Sequence, residues 1–290
     1  MTEFAELIKQ VHPGIYIHSI SLSDDQSADQ KAGWFGDVNA QVDIVATELS
    51  TIPSSRTGST PLDSLKAASF SVPMLNAISR DVNRVTFYVG LPGPYLRPSP
   101  SSPTVRHTHS DHRSTNRRNT ALRGMYSNYA QSHLVQAQYF RDPRSAHDLQ
   151  SYLTANTFLA DINAEIPDTD QALYKRNLVS LDALVLVLFS EDKTVVPKES
   201  GWFGSYRPVN LSEPDAMGDE DMVSMHQQPI YKDDRIGLRT LDEAGKIHFT
   251  TCEGPHMRIS DDCWKPLVLK FCGDRRGEKG QQNISDLLVQ

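Results

Sequence analysis

The sequence predicts an α/β fold built on a mostly parallel central sheet, and three observations carry that prediction. A helix, strand, helix rhythm runs through residues 1–52. The continuous apolar run from Ala183 to Phe189 reads as a strand buried on both faces. A further strand follows at Ile247-His248-Phe249-Thr250-Thr251. A strand apolar on both faces suits a parallel sheet, because the crossover connections lay helices over each side of it. With 290 residues, 38% hydrophobic and 22% charged, the chain has enough material for one large core, and residues 1–290 are read as a single domain.

Taken in order, Thr2 to Val11 is a predicted helix, and His12-Pro13-Gly14 turns into a strand over Ile15 to Ile20. Asn39 to Leu49 places Val42, Ile44, Val45 and Leu49 at helical spacing. From residue 53 to 120 the periodicity fails, and Ser, Thr, Pro, Arg and His accumulate in Arg97 to Pro103 and His107 to Arg113. So long a patternless stretch is foreign to a compact domain, and it is expected to be an aberrant, disordered insert. Regular patterning resumes after residue 121, with predicted helices at Tyr129 to Tyr139 and Gln171 to Leu181 ahead of the buried strand. The turn Glu243-Ala244-Gly245 leads into the strand at Ile247, and a helix from Asp261 to Leu269 closes the fold.

A formal charge of −7 argues against nucleic acid as a partner, since phosphate binding draws its affinity from surplus Lys and Arg. No run approaches the roughly 20 apolar residues needed to cross a bilayer, so no transmembrane segment is expected. The opening residues carry acidic side chains and no apolar core of a signal peptide. Cys252, Cys263 and Cys272 are an odd set, which leaves the redox compartment open. Asn210 and Asn283 each begin an Asn-x-Ser sequon. His107, His109, Asp111 and His112 could be offered as metal ligands, and Arg113, Arg117 and Arg118 as a basic patch. Both lie on a Pro- and Ser-rich stretch without aromatic interleaving, and a solvated loop accounts for them better.

Two loop positions carry candidate chemistry: Asp192, just past the buried strand, and His256, just past the last strand in Glu253-Gly254-Pro255-His256-Met257. In open α/β sheets reacting groups gather at the carboxyl ends of strands. An Asp there commonly caps a turn and a lone His commonly sits on the surface, so position alone does not assign either a role. The order Asp then His is the order found after the nucleophile in α/β-hydrolase triads.

A set of longer segments gives more. Phe35-Gly36-Asp37-Val38-Asn39-Ala40-Gln41-Val42, Leu134 to Pro143, Phe158 to Asn163, Glu191-Asp192-Lys193-Thr194-Val195-Val196-Pro197, Ser200 to Tyr206, Asp234 to Leu238 and Glu253-Gly254-Pro255-His256 run in one order along the chain. Together with His12-Pro13-Gly14-Ile15-Tyr16 they resemble palmitoyl-protein thioesterases over roughly two thirds of the sequence. The resemblance implies an α/β-hydrolase fold and hydrolysis of fatty acyl thioesters on protein cysteines. It implies palmitoylated proteins or acyl thioesters as partners, no cofactor or metal, and a lysosomal, vacuolar or secretory location. It places the triad's Asp and His on Asp192 and His256.

The nucleophile is the point of departure. A Gly-x-Ser-x-Gly elbow, whose glycines clear a sharp strand-to-helix bend, occurs nowhere in the chain, and Ser64 and Ser69 lack such a turn. Yet codons for Leu62 to Ser69, read one register over, permit Gly-Phe-Ser-Gln-Gly-Gly-Gln, the family's nucleophile motif. The shifted frame continues through Ala77-Ile78 as Phe-Leu-Arg-Ala-Tyr-Val-Glu-Arg-Tyr. A frame error or aberrant splice in the coding sequence as predicted from the gene is therefore expected. The chain is also short of an earlier strand ending in Trp-His-Gly, so the fold is expected to lack the first strand and the elbow unit. A competing reading from a different class is a catalytically dead relative that binds acyl groups without turnover.

Overall fold

A computed structural model describes residues 2–13, 15, 17, 21–51, 86–89, 124–167, 169–213, 218 and 221–272. Helix α1 (Thr2–Val11) is followed by α2 (Gln26–Ala32) and α3 (Val38–Thr51), and strand β1 (Thr86–Val89) comes next. A helical stretch then comprises α4 (Asn128–His133), α5 (Val135–Gln138), α6 (Ala146–Ala155), α7 (Leu159–Ile162) and α8 (Gln171–Val179). The chain continues through β2 (Leu184–Phe189), a 3-10 turn (Lys198–Trp202), β3 (Ser205–Tyr206) and β4 (Met222–Val223). A short 3-10 turn at Met225–Gln227, α9 (Pro229–Lys232), α10 (Leu238–Glu243), β5 (Ile247–Cys252) and α11 (Asp261–Phe271) complete it.

The main sheet is parallel with strand order β1-β2-β5; Leu184 pairs with Ile247 and Phe189 with Cys252. All six residues of β2 are buried, as a central strand covered on both faces must be. Leu184 and Leu186 face a core with Leu178, Met225, Ile236, Leu238 and Leu241. Val185, Val187 and Phe189 face the opposite core with Cys252 and Phe271. The alternation of the strand thus divides one apolar run between two layers of helices. Helix α1 packs on α11 through Phe4, Ile8 and Val11 against Trp264 and Val268, with the Phe4 and Trp264 rings edge to face at 5.2 Å.

Several family-like segments meet in a third core. Val38, Val42, Tyr139, Phe140, Phe158, Leu159 and Ile162 pack together with Tyr126 and Tyr152. Gln138 ties this core down: its Oε1 accepts from Val38 N at 2.7 Å and its Nε2 donates to Gly36 O at 2.8 Å. Asn156 donates to Gln138 O at 2.8 Å and accepts from Ala160 N at 3.0 Å. Buried amides are tolerable here because each finds backbone partners.

The expected helix over Tyr129 to Tyr139 is broken in two. Leu134 takes extended angles (φ −114°, ψ 112°) because its neighbours bond sideways to another segment: Gly36 N donates to His133 O at 2.9 Å and Val135 N to Trp34 O at 3.2 Å. Tertiary pairing overrides local periodicity there. Of the strand expected at Ile15 to Ile20, the described residues Ile15 and Ile17 belong to no regular element. Strand β1 falls inside the stretch read as an insert, and the rest of residues 53–120 lies outside the described residues, with the elbow segment, His107, His109, Asp111, His112, Arg113, Arg117 and Arg118. Among the described residues no helix is long and apolar enough to cross a membrane, and no group of three or more His, Cys, Asp or Glu is placed to hold a metal ion.

Candidate active site

The pairing of Phe189 with Cys252 sets the ends of β2 and β5 side by side, so the loops that follow them start as neighbours. The backbone contact runs on past the strands, with Ser190 N donating to Cys252 O and Glu191 N to Gly254 O, both at 3.0 Å. The Ser190 hydroxyl clasps the loops a second time. It donates to Glu253 Oε2 at 2.8 Å and accepts from Gly254 N at 3.0 Å, and Lys198 Nζ donates to Ser190 O at 2.7 Å. Gly254 has φ 112°, a left-handed value that lets the loop double back at once after β5.

Asp192 and His256 meet across this junction. His256 Nδ1 lies 2.7 Å from Asp192 Oδ2, although the two residues are 64 positions apart in sequence. The other carboxylate oxygen, Oδ1, accepts from the backbone N–H groups of Thr194 and Val195, each at 2.9 Å. Those two donors fix the carboxylate plane and leave Oδ2 for the imidazole. Only 6% of the Asp192 side chain is exposed, against 20% of His256. An Asp shielded in this way holds a nearby imidazole with Nδ1 protonated, which leaves Nε2 as the basic nitrogen. The ring stands edge to face on Phe189 at 6.1 Å.

The structure thus brings together the two residues that the sequence singles out. It adds two features that the sequence reading missed. One is the Ser190–Glu253 clasp. The other is a disulfide from Cys252 to Cys263, with Cα atoms 5.2 Å apart, that closes the loop containing His256 and anchors it to α11. An odd cysteine count hid this pair, yet a Cys four residues before the candidate His and another in the following helix was a usable signal. Cys272 is left as a free, buried thiol, and burial pushes its pKa up to about 12.

Another family-like segment, Asp234 to Leu238, lies in the packing rather than at this junction. Asp234 is 4% exposed and accepts from Thr240 N at 3.1 Å, Thr240 Oγ1 at 2.5 Å and Lys175 Nζ at 2.6 Å, tying α8 to α10. Burial raises its pKa, but the hydrogen bonds from Lys175 and Thr240 outweigh that and hold it below the ordinary value. The segment's resemblance therefore has a structural basis.

With this geometry in hand, comparison with known proteins decides the family. The family model for palmitoyl protein thioesterase matches residues 1–71 and 76–256. The chain belongs to the palmitoyl protein thioesterase family. It is 32% identical over 275 residues to palmitoyl-protein thioesterase 1 of Caenorhabditis elegans, spanning 89% of this chain and 81% of that protein. It is 41% identical over 148 residues to palmitoyl-protein thioesterase 3 of Dictyostelium discoideum, where the match covers 50% of this chain and 47% of the other. With lysosomal thioesterase PPT2 of Mus musculus it shares 33% identity over 150 residues, 52% of this chain and 44% of that protein. By family the protein is a thioester hydrolase. Asp192 and His256 both fall within the matched residues.

Proposed function

We propose that this thioesterase removes fatty acyl groups from cysteines of palmitoylated proteins, with His256 as general base and acid and Asp192 as the group that orients it. The observation that carries the reading is the 2.7 Å contact between His256 Nδ1 and a shielded Asp192 at the adjoining ends of two parallel strands. The chain as it stands has no Gly-x-Ser-x-Gly elbow, so the nucleophile of this reading is the serine of the Gly-Phe-Ser-Gln-Gly-Gly motif that codons for Leu62 to Ser69 permit in a shifted frame, and the reaction is that of the frame-restored protein. Its hydroxyl attacks the thioester carbonyl while His256 Nε2 takes the proton, and Asp192 stabilises the imidazolium. Collapse of the tetrahedral intermediate breaks the carbon–sulfur bond, and the imidazolium returns the proton to the departing cysteine sulfur. Water, deprotonated by the same nitrogen, then releases the fatty acid from the serine.

Relatives named lysosomal thioesterases support a lysosomal location reached through the endomembrane route. The disulfide between Cys252 and Cys263 supports the same route, because such bonds persist in oxidising compartments. The test is release of fatty acid from an acyl-cysteine thioester by protein made from a cDNA with the elbow frame restored, beside its His256→Ala variant. Hydrolysis by the first and a loss of on the order of a thousandfold or more in the second is expected. Equal rates in the two proteins, or no hydrolysis by the restored protein, would overturn the proposal.

A further inference from the structure

We infer that Asn210 is an N-glycosylation site, carrying an oligosaccharide at the edge of a surface cleft. The sequon Asn210-Leu211-Ser212 has no proline at its middle position, and the residue after it is Glu213. Asn210 to Glu213 are four consecutive exposed residues in a turn beyond β3. The turn is shaped by the asparagine itself, with Ser212 N donating to Asn210 Oδ1 at 3.0 Å and Glu213 N to Asn210 O at 3.1 Å. Among the described residues Asn210 Nδ2 makes one bond, to Glu213 Oε1 at 3.3 Å. An amide nitrogen has two hydrogens, so it can exchange one for a sugar and keep that bond.

A second, independent observation points the same way. The Cys252–Cys263 disulfide suits maturation in an oxidising compartment, where glycosyl transfer to sequons also takes place. Leu211 lines an open cleft of about 790 Å³ with Asn128, His147, Gln150, Ser151 and Thr154. Tyr126, Ala146 and Ala155 line the same cleft, so a glycan rooted one residue away borders a wall of mixed polar and apolar character.

The donor is a lipid-linked oligosaccharide pyrophosphate. The bond between Asn210 Nδ2 and the sugar's anomeric carbon forms as the bond from that carbon to the pyrophosphate oxygen breaks. The electron pair leaves with the lipid pyrophosphate, and Nδ2 gives up one proton.

The inference rests on the endomembrane reading above, and the experiment separates the two. The full chain is expressed in a eukaryotic secretory host behind a host signal peptide, which forces entry whatever its native route. It is then treated with peptide N-glycosidase and mapped by peptide mass, beside Asn210→Gln, Asn283→Gln and the double variant. Conversion of Asn210 to Asp on enzyme treatment, and a mobility shift that Asn210→Gln diminishes, are expected. A parent whose Asn210 peptide is unmodified, or a shift removed entirely by Asn283→Gln, overturns the inference. A glycosylated signal-fused protein beside an unmodified endogenous one leaves the site assigned and contradicts the route instead.

Discussion

Replacing both bridging cysteines, as Cys252→Ala/Cys263→Ala, isolates what the disulfide does for the loop bearing His256. The bridge joins residues 11 apart, and loop-closure entropy for so short a ring predicts a loss of about 3 kcal/mol in stability. That is roughly a hundredfold shift in the folding equilibrium. In urea it lowers the unfolding midpoint by about 1 to 3 M for ordinary denaturant slopes. Cys252 is 1% exposed and packs with Phe189 and Phe271, so the two alanines remove a little packing as well, which adds to the loss. Urea titration followed by far-ultraviolet circular dichroism, on the parent with and without reductant and on the double variant, makes the comparison. Reduced parent and variant should shift together. The reasoning is refuted if both unfold at the oxidised parent's midpoint.

Other outcomes follow from the packing. Gly237 has φ +91°, and a Cβ there would lie 2.5 Å from Val179 Cγ2; Gly237→Ala should cost about 1 to 3 kcal/mol, read as a lower Tm. Asp234 has a folded-state pKa below its unfolded one, so its contribution is complete above the ordinary carboxylate value of about 4 and is lost as pH falls through the folded value. Asp234→Asn should therefore flatten the acid limb of the stability curve, and an unchanged limb would contradict this. Because burial holds the Cys272 thiol protonated up to about pH 12, alkylation at pH 8 should label it only after denaturant is added. Labelling of the native protein at the rate of an exposed cysteine would contradict that burial.

The parts of the fold legible in the sequence are those where local pattern and tertiary demand agree. The run Ala183 to Phe189 marks β2 because a central parallel strand needs apolar residues on both faces, and the observed strand begins one residue later. Helix α1 has the expected bounds, and α3 and α11 run slightly longer than expected. Helix α6 was not expected; its signals are local, a Ser145 hydroxyl accepting from Asp148 N and buried Leu149 and Tyr152 three apart. Strand β1 has a local signal, the β-branched and aromatic run Val85-Thr86-Phe87-Tyr88-Val89, but it lies within the Ser- and Pro-rich stretch read as an insert, and its partner is nearly a hundred residues away. At the candidate site, Asp192 and His256 stood out by their places after strands. The Ser190 clasp could not be read, since a serine and a glutamate 63 residues apart carry no periodic mark.

The most direct test of the account is Asp192→Asn in the frame-restored protein. Thr194 N and Val195 N would hold the new amide's oxygen where Oδ1 now sits, turning its NH2 toward His256 Nδ1. Nδ1 must then accept, the proton moves to Nε2, and the imidazole can no longer take a proton from the serine. A fall in kcat on the order of ten-thousandfold is predicted for acyl-thioester hydrolysis, with KM little changed. A variant that keeps kcat within tenfold of the parent would contradict the assignment of Asp192 and His256 to the chemistry.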